Sequence, residues 1–152
     1  MRSWLIVAAG CAHSATHAPI VARMERHECL EANDCPVYTV TAFGDGTIEY
    51  DGARHVAVTG HHIRRVTPAT ISELEREFAR IDFLHLPSYP RSDCTDLAVV
   101  TLSYNGKTLH HNHGDTAAPV GLFALENLFD QRLGTAPWVG HPRYLAIPSC
   151  RR

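Results

Sequence analysis

The sequence predicts an α+β domain: an antiparallel sheet of about five to six strands with two helices packed on one face. Three observations predict it. Two hairpin signals, Gly44-Asp45-Gly46 and Asn105-Gly106, each sit between runs that alternate apolar and polar residues. Two segments, near 67–81 and 119–133, repeat apolar residues at helical spacing. The order is strand, hairpin, strand, helix, hairpin, helix, so the strands are grouped and hairpin-then-helix occurs twice as a weak duplication.

Ile20 to Arg26 reads as the first strand, with Ile20, Ala22 and Met24 on one face. In the first hairpin, Tyr38, Val40 and Ala42 share a face, as do Ile48 and Tyr50. A two-residue turn at Asp45-Gly46 would set Ala42 against Glu49. A three-residue loop sets Ala42 against Ile48 and Val40 against Tyr50, the only pairing with one apolar face. Such a loop needs a left-handed third residue, and Gly46 supplies it. Arg54 to Val58 reads as a further short strand, with Gly60-His61-His62 as a turn or loop.

A helix is expected from near Thr67, with Pro68 at a first helical position and a capping-box pattern at Thr70 and Glu73. Ile71, Leu74, Phe78 and Ile81 form its apolar stripe. Glu73, Glu75, Arg76, Glu77 and Arg80 read as a solvated face. Residues 84–96 read as a loop. In the second hairpin, a type I′ turn at Asn105-Gly106 sets Leu102 against Leu109, Val100 against His111 and Ala98 against His113. Pro119 opens the second helix, Leu122, Leu125, Leu128 and Phe129 form its stripe, and Gly134 ends it. A sheet edge near Ile20 or Arg54 is open to pairing with another chain.

The chain has 152 residues, with 14 basic against 16 acidic side chains and a formal net charge of -2. That balance offers no electrostatic footprint for nucleic acid. No apolar run is long enough to span a bilayer, so membrane contact is expected through a lipid anchor only. The 11 histidines make the charge strongly pH-dependent.

Met1 to Cys11 has a basic Arg2, a short apolar run and small residues ahead of a cysteine. It reads as a lipoprotein-type signal over 1–10, with Cys11 as the lipidated residue. A plain signal peptide or a first strand are the alternatives. Residues 11–19 then read as a tether, 20–139 as the single domain and 140–152 as a tail. Four cysteines remain: Cys29, Cys35, Cys94 and Cys150. Four allow three pairings. The expected pairs are Cys29–Cys35, a tight local loop, and Cys94–Cys150. A redox pair at Cys29 and Cys35 is disfavoured, because redox motifs hold two intervening residues at a helix start.

The cysteine loop and the chain beyond it resemble a bacterial domain-of-unknown-function family of envelope proteins, with a Cys-Phe-Gly-x-Cys-Pro-x-Tyr signature. Cys29, Cys35-Pro36-Val37-Tyr38, Asp45-Gly46, Tyr50 and Gly52 match it. Phe83, Tyr89, Asp96, Gly106-Lys107, Leu125-Glu126 and Trp138 fit its later pattern. The chain departs from it by two extra residues in the cysteine loop. The resemblance implies a cell-envelope location and a small α+β domain. It implies no activity and supplies no catalytic residues.

Chemistry is best sought at His110-His111-Asn112-His113-Gly114-Asp115. On a strand His111 and His113 share a face and can chelate one Zn or Cu ion, while His110 points away. His61, His62 or Asp115 would supply a third ligand. There is no nucleophile elbow and no phosphate-binding glycine loop. Cys94 between Asp93 and Asp96 reads as oxidised or inert. The expectation is a non-catalytic, cofactor-free binding or structural module of the periplasmic side of a bacterial membrane, its partner an unidentified envelope protein or ligand. The alternative is a periplasmic metal-binding protein.

Overall fold

The computed structural model describes residues 18–29, 35–87, 89, 98–113 and 117–140. Cys11, Cys94, Asp115 and Cys150, and with them the lipidation site and the second expected disulfide, lie outside the described residues.

Six strands form one antiparallel sheet in the order β4-β3-β2-β1-β5-β6. They are β1 (Ile20–Arg26), β2 (Val37–Phe43), β3 (Thr47–Arg54), β4 (Gly60–Arg65), β5 (Val99–Tyr104) and β6 (Lys107–Asn112). Helices α1 (Pro68–Arg80) and α2 (Val120–Arg132) cover one face. A single 3-10 turn spans Phe83–His85, and a short α3 spans Ala136–Val139.

Both hairpin registers are as expected. Ala42 faces Ile48 and Val40 faces Tyr50. Leu102 faces Leu109 and Val100 faces His111. Gly46 takes φ +84°, and its neighbours leave no room for a Cβ beside the Val66 carbonyl. Asn105 and Gly106 are both left-handed, as a type I′ turn requires.

Three expectations are corrected. First, the strand after β3 is not 54–58 but Gly60–Arg65. The Ala57 and Val58 amides donate to Val139 and Trp138 carbonyls, so that segment bends away to receive α3 instead of joining the sheet. Second, Ile20 does not share the buried face of Ala22 and Met24. The register shifts between Ile20 and Ala22, and Ile20 is 58% exposed. Third, neither Ile20 nor Arg54 marks a sheet edge. β1 lies between β2 and β5, and β3 lies between β2 and β4; the edges are β4 and β6.

Helix α1 is capped by Thr67, whose Oγ1 accepts the Thr70 amide at 3.3 Å. Thr70 is therefore inside the first turn and not the cap. Ile71, Leu74 and Phe78 are buried. Phe78 stacks on Tyr104 with ring centroids 4.2 Å apart, and meets Phe83 and Phe129 edge-on. Helix α2 crosses the end of α1 at Gly121, where a Cβ would strike the Ile81 side chain. Past α2, Trp138 packs on Tyr50 and His62, and Arg64 lies over the Trp138 ring while donating to the Gly134 carbonyl.

Cys29 and Cys35 are disulfide-bonded, with Cα atoms 5.8 Å apart and a sequence separation of 6. Both are buried against Ala98. The bond ties the end of β1 to the start of β2. Closing so short a loop restricts the unfolded chain by about 2 kcal/mol. Replacing both cysteines by serine should therefore lower the unfolding free energy in urea by about 2 kcal/mol, and reductant should do the same to the parent. A parent midpoint indifferent to reductant would contradict this account.

Candidate functional site

Period-two alternation decides which polar side chains face the helices. On β1, Arg26 continues the face of Ala22 and Met24 and is 3% exposed. On β2, Tyr38 starts the face of Val40 and Ala42. On β6, His111 follows Leu109 into the interior, and His113, one residue past the strand end, continues the same face. Helix α2 answers with Glu126 and Asp130, one turn apart and one turn beyond Leu122. These groups, with Thr135, are all buried.

Glu126 is the centre. Its Oε2 lies 3.0 Å from Arg26 Nη2 and 2.5 Å from His113 Nδ1. His111 Nε2 lies 2.9 Å from Oε1, inside ion-pair reach but off the line of a good hydrogen bond. The Tyr38 hydroxyl donates to Asp130, 2.8 Å from each carboxylate oxygen, and Thr135 Oγ1 donates to Asp130 Oδ1 at 3.2 Å. Arg26 Nη2 is 3.7 Å from Asp130 Oδ2, and the guanidinium lies 6.0 Å from the Tyr38 ring centroid. The Phe123 ring meets both imidazoles edge-on.

The two carboxylates are pushed apart by their surroundings. Burial alone would raise both. At Glu126 the Arg26 charge and the approach of His111 and His113 outweigh burial, and hold the carboxyl well below the usual carboxylate range. At Asp130 burial dominates, with the Glu126 charge adding to it, and the carboxyl sits above its ordinary value. Burial would likewise depress Arg26, but the Glu126 and Asp130 carboxylates beside it more than offset that and hold the guanidinium charged. Burial keeps Tyr38 protonated as a donor.

The histidine segment is thus split. His111 and His113 share a face, as the register requires, and both address Glu126. His110 lies on the opposite face, and Asp115 is outside the described residues. His61 and His62 stand on β4, at the far edge of the sheet from β6, and are not neighbours of the pair. Among the described residues, no three His, Cys, Asp and Glu side chains are placed to hold a metal ion. Sequence reading missed Arg26, Tyr38, Glu126, Asp130 and Thr135. The signal was present in part: Glu126 and Asp130 fall at Leu122 plus four and plus eight, on the helix face that Leu122 buries.

A two-layer α+β domain with a charge cluster sealed between sheet and helix is the class that the fold and site define. The chain belongs to a family described as a domain of unknown function, DUF6438, whose model matches residues 21–133. That span runs from β1 to the end of α2 and contains the whole cluster except Thr135. Neither the curated proteins nor the solved structures contain a match to the chain.

The cluster makes a pH-dependent contribution whose sign differs at the two acids. Glu126, depressed in the folded state, stabilises the fold fully above the ordinary carboxylate pKa, and that contribution declines below it and is lost as pH falls through the lower folded-state pKa. Asp130, raised in the folded state, favours the fold in acid and loses that contribution as pH rises through its own pKa. Glu126→Gln should cost about 3–5 kcal/mol near neutral pH, because Arg26 is left buried without its partner, and the cost should shrink below about pH 4. Asp130→Asn should cost least near neutral pH and most in acid. Urea unfolding between about pH 3 and pH 8 reads both slopes. A neutral-pH cost below about 1 kcal/mol for Glu126→Gln would contradict the buried pairing.

Proposed function

We propose that this protein is an exported, lipid-anchored module of the bacterial cell envelope that works by binding or structural support and not by catalysis. The observation that carries this reading is the division of polar residues between the two faces of the sheet. Side chains suited to acid-base chemistry (Arg26, Tyr38, His111, His113, Glu126 and Asp130) are each 4% exposed or less and engage one another beneath α2. A group that turns over a soluble substrate must reach it, and these do not reach the surface. The opposite face carries alternating polar residues, Arg23 and Glu25 on β1, Thr39 and Thr41 on β2, Thr101 and Ser103 on β5. A face of that kind suits contact with a partner or ligand.

Two further features support export. The Cys29–Cys35 disulfide fits an oxidising compartment. The N-terminal sequence has the small residues and cysteine of a lipoprotein signal. The family match supports the likeness to an uncharacterised domain; the envelope setting and the cysteine-loop signature rest on the sequence.

An intact-mass spectrum of the protein isolated from its own cells tests the reading. The expected species begins at Cys11, carries a diacylglyceryl or triacyl adduct and retains its disulfide. A full-length chain with free thiols and no lipid would place the protein in a reducing compartment and overturn the proposal.

A further inference from the structure

On the open face, away from the helices, a shallow groove of about 720 Å³ runs over β1, β5 and β6. Its lining includes Glu25, His27, Glu28, Thr101 and His110. Register explains the grouping. Glu25 on β1 faces Thr101 on β5, and Thr101 faces His110 on β6, so the three form one cross-strand row. His27 lies just past the end of β1, where its amide still donates to the Val99 carbonyl at 2.9 Å. Its side chain returns to the same row.

Two imidazoles converge there on one hydroxyl. His27 Nε2 is 3.1 Å from Thr101 Oγ1, and His110 Nδ1 is 2.9 Å from the same oxygen. Thr101 is buried, whereas both histidines are exposed. A hydroxyl carries one proton and can donate to only one of the two rings, so the other ring donates to it. Both ring nitrogens therefore lie within about 3 Å of one oxygen, and that hydroxyl is a weak and exchangeable partner.

We propose that His27 and His110 form a site for a divalent transition-metal ion of the Cu(II) class, bound above Thr101. Imidazole nitrogen suits these ions, and Cu(II) binds such donors most strongly in the first-row series. No third described side chain converges with them, so water or a donor from a bound partner completes the coordination. Glu25 and Glu28 add negative charge to the groove. Their present partners, Arg23 and Arg54, are held in exposed pairs that contribute little and exchange readily. The site is separate from the buried His111–His113 pair, which lies on the other side of the sheet.

Titration of the full chain with Cu(II) chloride, followed by electron paramagnetic resonance, tests this. The parent should show one tight site with nitrogen hyperfine coupling. His27→Ala and His110→Ala should each weaken it by at least about tenfold, and the double variant should retain only the background of the remaining histidines. Thr101→Val removes the competing hydroxyl while keeping both ligands, and should leave affinity within about threefold of the parent. His111→Ala with His113→Ala should leave the nitrogen coupling in place. A double variant, His27→Ala with His110→Ala, that binds Cu(II) as the parent does would overturn the proposal. So would loss of the site on changing His111 and His113 alone.

Discussion

Arg26 holds a guanidinium under the helices, in a strand near the middle of the sheet, with almost no contact with water. A buried ion costs several kcal/mol unless a partner of opposite charge and good geometry is brought to it. Glu126 supplies the opposite charge, 3.0 Å from Nη2 though off the line of a good hydrogen bond, and it sits on the other layer. The position of α2 over the sheet is therefore tied to one interaction between β1 and α2, which apolar packing alone would not specify so narrowly. Leu122, Leu125 and Phe129 supply most of the burial along α2. They would tolerate a shift of the helix along its axis better than a carboxylate 3.0 Å from its guanidinium would.

The remaining polar groups depend on that pair. Asp130 is the second acid facing the same cation, and one cation does not neutralise two carboxylates. Burial first, and the Glu126 charge after it, raise its carboxyl, and Tyr38 and Thr135 donate to it. His113, just past β6, hydrogen-bonds Glu126, His111 on β6 stands 2.9 Å from its other oxygen, and together they carry the network to a sheet edge. Tyr38 on β2, Arg26 on β1 and His111 on β6 thus join three strands to one helix. The Cys29–Cys35 bond links two of those strands, shortly after Arg26 and shortly before Tyr38. Covalent and ionic constraints act on the same corner of the fold.

The strands and helices were legible because their signals are local. A glycine at the third position of a three-residue loop, or Asn-Gly between alternating runs, sets the register of everything on either side. Where a long-range contact decided the outcome, local reading failed. Val56 and Val58 alternate like a strand, but Trp138 and Val139 carbonyls take the Val58 and Ala57 amides. Gly60-His61-His62 reads as a turn or loop, yet Gly60–Arg65 is β4. It becomes a strand because His62 and Arg64 turn inward to Trp138 and Gly134, far along the chain. The candidate site was half legible for the same reason. The common face of His111 and His113 is a property of one strand; their shared carboxylate is a property of the assembled layers. Arg26 was one step along an alternation already recognised in Ala22 and Met24, and its charge disguised its place in it.

Strand β6 shows how far alternation alone can divide chemistry. Three histidines stand within four residues, and period two sends them to two environments. His111 and His113 enter the interior, where a fixed carboxylate and an aromatic ring restrict them. His110 goes to the open face, where its partner is a single hydroxyl shared with His27. The interior pair has a permanent ligand supplied by the fold and can be exchanged only by moving α2. The exterior pair has a partner that a solute can replace without disturbing the core. Histidine content or spacing alone does not separate these cases. What separates them is which layer covers the strand: among the described residues, α2 covers one side and no helix covers the other.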